Sequence, residues 1–200
     1  MAGYREAANP DSTLIDEAAP LDWGNEGVEK FQIQERTVLQ FPNVIGITIR
    51  LGLSYSDRAQ HHSGLFSGIF KKFDKNAGVI QAKGAPRIAW SPIHLEDLGP
   101  AYAAVISAEP SAVKGQAFNV CGDELVDNGM VAAAVAKVLG IDPAKIDWTQ
   151  PIWPIANKRL FMDNSKAKRV LGFKPKFNNA AEYVPTLMAS AYPSGVAEFS

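Results

Sequence analysis

The residues whose types and spacing could carry chemistry begin with a histidine and a carboxylate. His94 and Asp97 stand three positions apart in "PIHLEDL", where a helix is predicted to start near Leu95. Such a pair has the residue types that proton transfer uses. The alternative is local: Glu96 and Asp97 complement the positive helix N-terminus, and His94 makes a nearby hydrogen bond. We favour this structural role, and we keep His94 as a candidate for the wall of a ligand pocket.

A second candidate group follows a buried strand. The run "FPNVIGITIRL" is almost continuously apolar, as in a strand covered on both faces, and Arg50, Gly52 and Tyr55 stand at its end. Ligands of parallel sheets bind beyond the carboxyl ends of the strands, so these three residues are predicted to line a ligand pocket. The alternative is a loop whose tyrosine packs on its neighbours. Trp90 joins the pocket candidates, although tryptophans more often serve packing or interfaces.

Other reactive residue types give no site. His61 and His62 are adjacent, so their side chains point apart, and no carboxylate or cysteine stands at ligand spacing. We therefore predict no metal. Cys121 is the only cysteine, lies in the apolar run "AFNVCG", and is interpreted as a small buried hydrophobe in a reducing, cytoplasmic compartment. Lys158 and Arg159 are interpreted as a solvated charged pair, with binding of an anionic group as the alternative.

Composition limits the class of partner. The chain has 200 residues, 46% of them hydrophobic, with 20 Lys and Arg against 21 Asp and Glu. Because the basic residues are spread along the chain, no electrostatic footprint for nucleic acid or a membrane surface appears. No stretch approaches 18 apolar residues, so no membrane span is predicted. We predict one domain over residues 1–200, with a loop-rich N-terminus over 1–25.

The elements that must position these residues alternate between helix and strand. Apolar spacing and capping residues predict helices over 25–41, 63–73, from about 95, 126–140, 163–172 and 178–192. Apolar runs predict strands over 44–51, 77–82, 87–94 and 116–122, with an irregular stretch over 141–162. This order is typical of an α/β protein with a mainly parallel sheet.

The same segments, in the same order, carry a resemblance. "STLIDEAAPLDW", "QERTVL", "NVIGITIRLGLSYS", "WSPIHLEDLGPAYAAVI", "GQAFNVCGDE" and "DNSKAKRVLGFKP" together resemble the C-terminal portion of extended and atypical short-chain dehydrogenases. These form the NAD-dependent epimerase/dehydratase family. The likeness extends from about residue 14 to residue 185. It implies an incomplete Rossmann-like parallel sheet with helices, lacking the N-terminal half that binds the dinucleotide.

The resemblance also indicates what chemistry is absent. No GxGxxG or GxxGxxG turn occurs, so no cofactor-binding residue is assigned and no cofactor is expected for this chain alone. NAD(P) is expected only if the missing half is supplied. The family's catalytic Tyr and Lys fall on Gly27 and Phe31, and no Tyr here has a Lys four positions later. No catalytic residue is therefore assigned.

Three functions remain open. The first is a catalytically silent protein of this family that binds a partner or a small molecule. The second is half of an NAD(P)-dependent oxidoreductase or epimerase, completed by another chain or an upstream segment. The third is a hydrolase or isomerase with an unrecognised site, although no GxSxG motif is present. The family's strand at 44–51 is paired on both sides, so the resemblance implies an exposed sheet edge and hence a homo-oligomer or a partner chain bound there.

Overall fold

The computed structural model describes residues 3–22, 26–56, 69–152, 157–178, 180, 182–184 and 196–198. The helices are α1 Glu26–Gln40, α2 Leu95–Ser107, α3 Pro110–Val113, α4 Asn128–Leu139 and α5 Ser165–Leu171, with a short 3-10 turn Pro143–Lys145. The strands are β1 Ile47–Leu51, β2 Leu53–Tyr55, β3 Phe70–Asp74, β4 Val79–Lys83, β5 Ala89–Trp90, β6 Pro92–His94, β7 Gln116–Val120, β8 Val126–Asp127, β9 Ile146–Gln150, β10 Arg159–Leu160 and β11 Val196–Glu198.

The described strands form four small sheets in which parallel pairs predominate. β1 pairs with β7, β2 with β6, β4 with β9 and β10 with β5, all in parallel. β3 pairs antiparallel with β4 and β11, and β5 pairs antiparallel with β8. The predicted α/β class with mainly parallel pairing is therefore confirmed.

Most of the predicted helices are confirmed, and their ends have local causes. The helix predicted over 25–41 is α1, and the helix predicted from about 95 is α2. Gly140 and Gly172 end α4 and α5 in the left-handed conformation, with φ of 66° and 64°. Glycine adopts this conformation without the steric penalty that a Cβ brings, so both helices stop where the sequence predicts.

The strand predicted over 44–51 is shorter than expected. Strand β1 begins at Ile47, and Val44 and Ile45 are 48% and 49% exposed. The turn between α1 and β1 is tight at Gly46, because a Cβ there would overlap the backbone of Val38. Most of β1 is only half-buried. The expected burial of this strand on both faces is therefore incomplete in the described part of the chain.

The helix predicted over 63–73 is wrong at its C-terminal end. Ile69 is helical, but residues 70–74 form β3, and residues 63–68 lie outside the described residues. Phe70 and Phe73 are both fully buried although residues three apart on a regular strand face opposite sides. A bulge between Phe70 and Lys72 shifts the register and returns Phe73 to the core face. The bulge thus places on one face of the strand two phenylalanines whose three-residue spacing indicated a helix.

The described residues of the stretch 141–162 are partly regular, which corrects a second prediction. It contains β9, which pairs in parallel with β4, and β10, which pairs in parallel with β5. Trp148 of β9 is partly buried against the core, and Trp153 lies outside the described residues. Neither strand has a strong apolar run, because each is only two to five residues long and only partly buried. Pairing with distant strands makes them regular.

Three apolar clusters form the core. The first lies between the β3–β4 ladder and α4, the second between the β1–β7 ladder, α2 and α5, and the third around Tyr4 in the N-terminal segment. Asp127 caps α4 by accepting a hydrogen bond from the backbone of Met130. Within the residues that the structure describes, no helix combines the length and apolar character needed to cross a membrane.

Candidate functional site

A groove of about 520 Å³ runs along β1. Helix α1 forms one wall with Phe31 and Val38, and helix α2 forms the other with Tyr102. The residues Ile47–Leu51 of β1 also line the groove. Because Phe31, Val38 and Tyr102 are 54%, 43% and 47% exposed, the groove presents large apolar side chains to solvent.

The backbone of β1 shows which edge faces the groove. Gly46 accepts a hydrogen bond from the backbone of Gly115, and the backbone N–H of Gly52 donates to Val120, so both residues point toward β7. Backbone groups alternate in direction along a strand. The N–H and C=O groups of Ile47, Ile49 and Leu51 therefore point away from β7. Among the described residues, no strand pairs with this edge of β1.

Arg50 is the charged residue at the centre of this strand, and its charge is neutralised. Its Nε and Nη2 donate to the two carboxylate oxygens of Glu35 at 3.0 and 2.5 Å, and Nη1 donates to the carbonyl of Glu17 at 3.0 Å. Burial lowers the pKa of Arg50, but the hydrogen bonds and charges of Glu35 and Tyr4 outweigh it and raise the pKa overall. Arg50 is only 8% exposed.

Tyr4 connects Arg50 to the neighbouring strand. Its hydroxyl accepts a hydrogen bond from Arg50 at 2.6 Å and donates to Asn119 of β7 at 2.7 Å. The side-chain amide of Asn119 donates to the carbonyls of Ile15 and Asp163. Burial raises the pKa of Tyr4 to about 12. This network fixes the N-terminal segment against the β1–β7 ladder.

Tyr55 and His94 lie side by side in an aromatic cluster. They are register partners in the β2–β6 pair, and their rings contact each other and those of Phe177 and Tyr183. The Nδ1 of His94 accepts a hydrogen bond from the backbone of Glu96, which confirms the predicted local role at the start of α2. His94 is 1% exposed, and its Nε2 has no hydrogen-bond partner within the described residues.

Asp97 stands in the first turn of α2, as predicted, and it also holds a distant loop. Its carboxylate accepts hydrogen bonds from the backbone N–H groups of Lys176 and Phe177, at 3.0 to 3.2 Å, and the residue is 1% exposed. The carboxylate therefore positions Phe177, whose ring stacks on that of His94 with 4.0 Å between the ring centroids. The histidine and carboxylate are thus linked through a loop, and each has a structural role.

The substitution Asp97→Asn tests this role. We expect a loss of about 1–3 kcal/mol in the free energy of unfolding, because an amide replaces a charged acceptor that serves two backbone donors. Urea denaturation followed by circular dichroism measures the loss. Glu109→Gln, on an exposed residue whose side chain makes no cap hydrogen bond, is the control and is expected to change stability by less than about 0.5 kcal/mol. Equal losses in both variants would contradict the role of Asp97.

Gly52 and Trp90 occupy a third location. A Cβ on Gly52 would overlap the carbonyl of Ser91, so this glycine permits close packing of two strands. The indole N–H of Trp90 donates to the side chain of Asn128 at 3.1 Å, and the side chain is 5% exposed. Both residues line a void of only about 10 Å³. The five pocket candidates therefore occupy three separate places, and their role in binding stays a prediction.

The basic pair Lys158 and Arg159 is not solvated, which corrects the interpretation made from the sequence. Lys158 bonds the carboxylate of Asp22 at 2.6 Å and is 13% exposed. Arg159 pairs with Asp11 and lies over the ring of Phe161. Both cations are compensated by residues of other segments. Within the described part of the chain no group of histidine, cysteine and acidic residues could hold a metal ion, and His61 and His62 lie outside that part.

The residues that form the groove walls were not found by sequence reasoning. Phe31 and Val38 are seven positions apart, and so lie on one face of α1, but Ile33 places an apolar residue on the opposite face. The apolar pattern of α1 therefore does not identify the exposed face. The chain direction of β1 and the position of α2 determine which of these side chains line the groove.

Comparisons with solved structures identify the fold. UDP-glucuronic acid 4-epimerase from Bacillus cereus, in complex with UDP-glucuronic acid and NAD, matches at a TM-score of 0.70 and 15% identity over 96% of this chain and 59% of its own. DesIV, a dTDP-glucose 4,6-dehydratase from Streptomyces venezuelae, was solved as a double mutant with NAD and DAU bound. It matches at a TM-score of 0.65 and 14% identity over 92% of this chain and 56% of its own. RMD from Pseudomonas aeruginosa, complexed with NADPH, matches at a TM-score of 0.74 and 13% identity over 96% of this chain and 64% of its own.

The chain has part of the fold of NAD-dependent epimerases and dehydratases. This confirms the resemblance and the Rossmann-like fold class inferred from the sequence. At these identities the likeness shows the fold alone. The epimerase/dehydratase-like chain spans about three fifths of the length of the solved structures that it matches. No protein-family model matches the chain, and no curated protein matches it.

Proposed function

We propose that this epimerase/dehydratase-like chain acts by binding and, as a single chain, transfers no hydride. The observation that supports the proposal is an apolar groove along an edge of β1 with which no strand of the described residues pairs. An exposed apolar groove is a feature of interaction sites. The groove supplies what a binding function needs, since it exposes apolar side chains next to backbone donors and acceptors that have no partner strand in the described part of the chain.

The residues of α1 support the absence of redox chemistry. The resemblance places the family's Tyr and Lys at Gly27 and Phe31, and neither can hold or release a proton. Phe31 instead contributes to the groove wall. The side chain that most resembles a proton-transfer group elsewhere is His94, which is enclosed by aromatic rings. Proton transfer to a substrate needs access that this arrangement does not provide.

Titration calorimetry with NAD, NADH, NADP and NADPH tests the proposal. We expect no binding heat at millimolar cofactor, because the sequence contains no glycine-rich turn that brings backbone N–H groups to a pyrophosphate. Absorbance at 340 nm, recorded with UDP-glucuronic acid and NAD, is expected to stay constant. Micromolar binding of any of the four cofactors, or a change in absorbance, would overturn the proposal.

A second candidate is an NAD(P)-dependent oxidoreductase or epimerase completed by another polypeptide. The observation in its favour is that the neighbours with NAD or NADPH are longer than the region matched here. Under this function we expect NAD(P) to bind once the second polypeptide is added. Under the first proposal we expect no NAD(P) binding with or without a second polypeptide. The cytoplasmic location remains a prediction from the sequence.

A further inference from the structure

We propose that Arg87 and Arg159 bind a terminal phosphate group, and that the carboxylate of Glu6 occupies this phosphate site in the structure. Arg87 precedes β5 by two residues, and Arg159 is the first residue of β10, which pairs in parallel with β5. None of these three residues lines the groove along β1. The inference therefore goes beyond the proposed function and does not rest on it.

A single oxygen of Glu6 lies between two donors of this phosphate site. The Oε1 of Glu6 accepts a hydrogen bond from the backbone N–H of Arg159 at 3.0 Å and lies 3.6 Å from Nη1 of Arg87. The guanidinium of Arg159 is held close by, because its Nη1 donates to the backbone carbonyl of Arg87 at 2.9 Å. Backbone N–H groups and guanidinium groups are donors with which proteins bind phosphate. The oxygen of Glu6 therefore lies where an oxygen of a phosphate would bind.

The carboxylates now present do not satisfy the donors of the phosphate site. The Nε of Arg159 is buried and has no hydrogen-bond partner within the described residues, because the carboxylate of Asp11 lies against it without the direction that a hydrogen bond requires. The contact of Glu6 with Arg87 is longer than a hydrogen bond, and the Arg87 side chain is 63% exposed. A terminal phosphate carries three strong acceptor oxygens. It therefore has an oxygen for each guanidinium and one for the backbone N–H of Arg159.

One loop carries both carboxylates, Glu6 and Asp11, and a buried anchor stands on either side of it. Tyr4 and Ile15 are 0% and 3% exposed. Tyr4 bonds through its hydroxyl, as described above, and Ile15 both donates and accepts a backbone hydrogen bond. Most of the residues between these anchors are exposed. The two carboxylates are therefore able to turn toward solvent while both anchors keep their contacts.

The charges of the phosphate site favour an anion once the loop carboxylates turn away. Among the described acidic residues, only Asp127 then remains within ion-pair distance of either guanidinium, at 3.8 Å from Nη1 of Arg159. Two cations facing one carboxylate leave a positive charge. The ion pair that is given up, between Glu6 and Arg87, joins side chains that are 30% and 63% exposed. Such exposed pairs contribute little to stability, so a phosphate is able to replace the carboxylate.

Titration with inorganic phosphate, followed by NMR at the backbone amide of Arg159, tests the proposal. Low ionic strength is used, because salt screens charged contacts at the surface. Glu6→Gln keeps the size of the side chain and removes the competing charge. We expect it to bind phosphate at least about tenfold more tightly than the unchanged protein, as for a site that its own carboxylate fills about nine tenths of the time. Glu29→Gln, on an exposed residue of α1, is the control and is expected to leave the affinity unchanged.

Matched arginine variants, made in the Glu6→Gln protein, locate the phosphate site. Arg87→Gln is expected to weaken phosphate binding at least about tenfold, because it removes a charged donor. Arg5→Gln is the control, because the Arg5 side chain is 60% exposed, close to the 63% of Arg87, and its partner is Asp22 at 4.0 Å. Both variants remove one positive charge, so attraction to the overall charge of the protein falls equally in the two. Circular dichroism establishes that each variant is folded.

Three results would overturn the inference. These are equal phosphate affinity in Glu6→Gln and the unchanged protein, equal losses in Arg87→Gln and Arg5→Gln, and an Arg159 amide that does not respond to phosphate in the Glu6→Gln protein. A cofactor that bound at this site would lose its affinity in Arg87→Gln, whereas binding elsewhere would not change. Failure of the proposed function is therefore distinguishable from failure of this inference.

Adenosine monophosphate, titrated in the same way, identifies the source of the phosphate group. An affinity equal to that of inorganic phosphate supports a site for the phosphate group alone. Tighter binding supports a site that also contacts the nucleoside. Loss of all adenosine monophosphate binding, with inorganic phosphate still bound, would contradict a site for a terminal phosphate group on a larger molecule and restrict it to the free anion.

Discussion

Arg50→Met is expected to lower the free energy of unfolding by about 3–5 kcal/mol. The guanidinium neutralises Glu35, whose side chain is only 15% exposed, and also donates to Tyr4 and the carbonyl of Glu17. Methionine fills a similar volume but removes the cation and every donor. A carboxylate that stays buried without its cation costs more than the pair itself contributes. Urea denaturation followed by circular dichroism measures the loss.

The double variant Arg50→Met/Glu35→Leu separates the cost of the unpaired charge from lost packing. Because it removes the carboxylate as well, we expect it to recover at least about half of the loss, as replacing both partners of a buried pair by apolar residues often does. Glu35→Leu alone completes the thermodynamic cycle and yields the coupling energy. A loss below about 1 kcal/mol in Arg50→Met would show that the pair contributes as little as a surface salt bridge.

Stability at alkaline pH is expected to decline from about pH 9, and Cys121 is the main cause. Burial raises the pKa of this thiol from 9.0 to about 12. A raised pKa means that the folded protein keeps the proton after the unfolded chain has lost it. The stabilisation that the protonated thiol contributes is complete below pH 9 and is lost as the pH rises through about 12. Three pH units at 1.36 kcal/mol each correspond to about 4 kcal/mol.

Cys121→Ala is the control for this dependence. We expect its free energy of unfolding to fall less steeply between pH 9 and 10, and the difference between the two proteins to shrink as the pH rises. Groups that titrate in both proteins cancel in that difference, including Tyr4, whose pKa is raised from 10.0 to about 12. Thermal unfolding from pH 8 to 11.5 provides the measurement. Parallel curves for the two proteins would exclude Cys121 as the source.

Local patterns predicted those elements that local interactions stabilise. Helix α1 and helix α4 follow from apolar spacing and from a terminal cap or glycine, and β7 follows from the run "QAFNV". The prediction of a helix over 63–73 was wrong for residues 70–73, because the bulge in β3 puts residues three apart on one face, as a helix does. Strands β9 and β10 were not predicted because pairing with β4 and β5, rather than their own residues, keeps them extended.

The candidate site shows the same difference between what local patterns predict and what contacts between distant segments decide. The sequence singled out Arg50, Tyr55 and His94 by residue type, and the structure gives Arg50 a place beside the groove but encloses Tyr55 and His94 among aromatic rings. Residue type alone does not show whether a side chain already has partners. The partners of Arg50 come from positions as far away as Tyr4, 46 residues earlier.

The sequence by itself determined the order of most elements, the resemblance to NAD-dependent epimerases and dehydratases, and the absence of a tyrosine–lysine pair. These depend on residue identity and on spacing along the chain. Only the tertiary structure decided which edge of β1 has no partner strand among the described residues, which apolar side chains of α1 and α2 stay exposed, and which charges are neutralised. Those properties arise from contacts between distant segments, such as Tyr4 and Asn119 at 115 residues apart, and no local pattern records them.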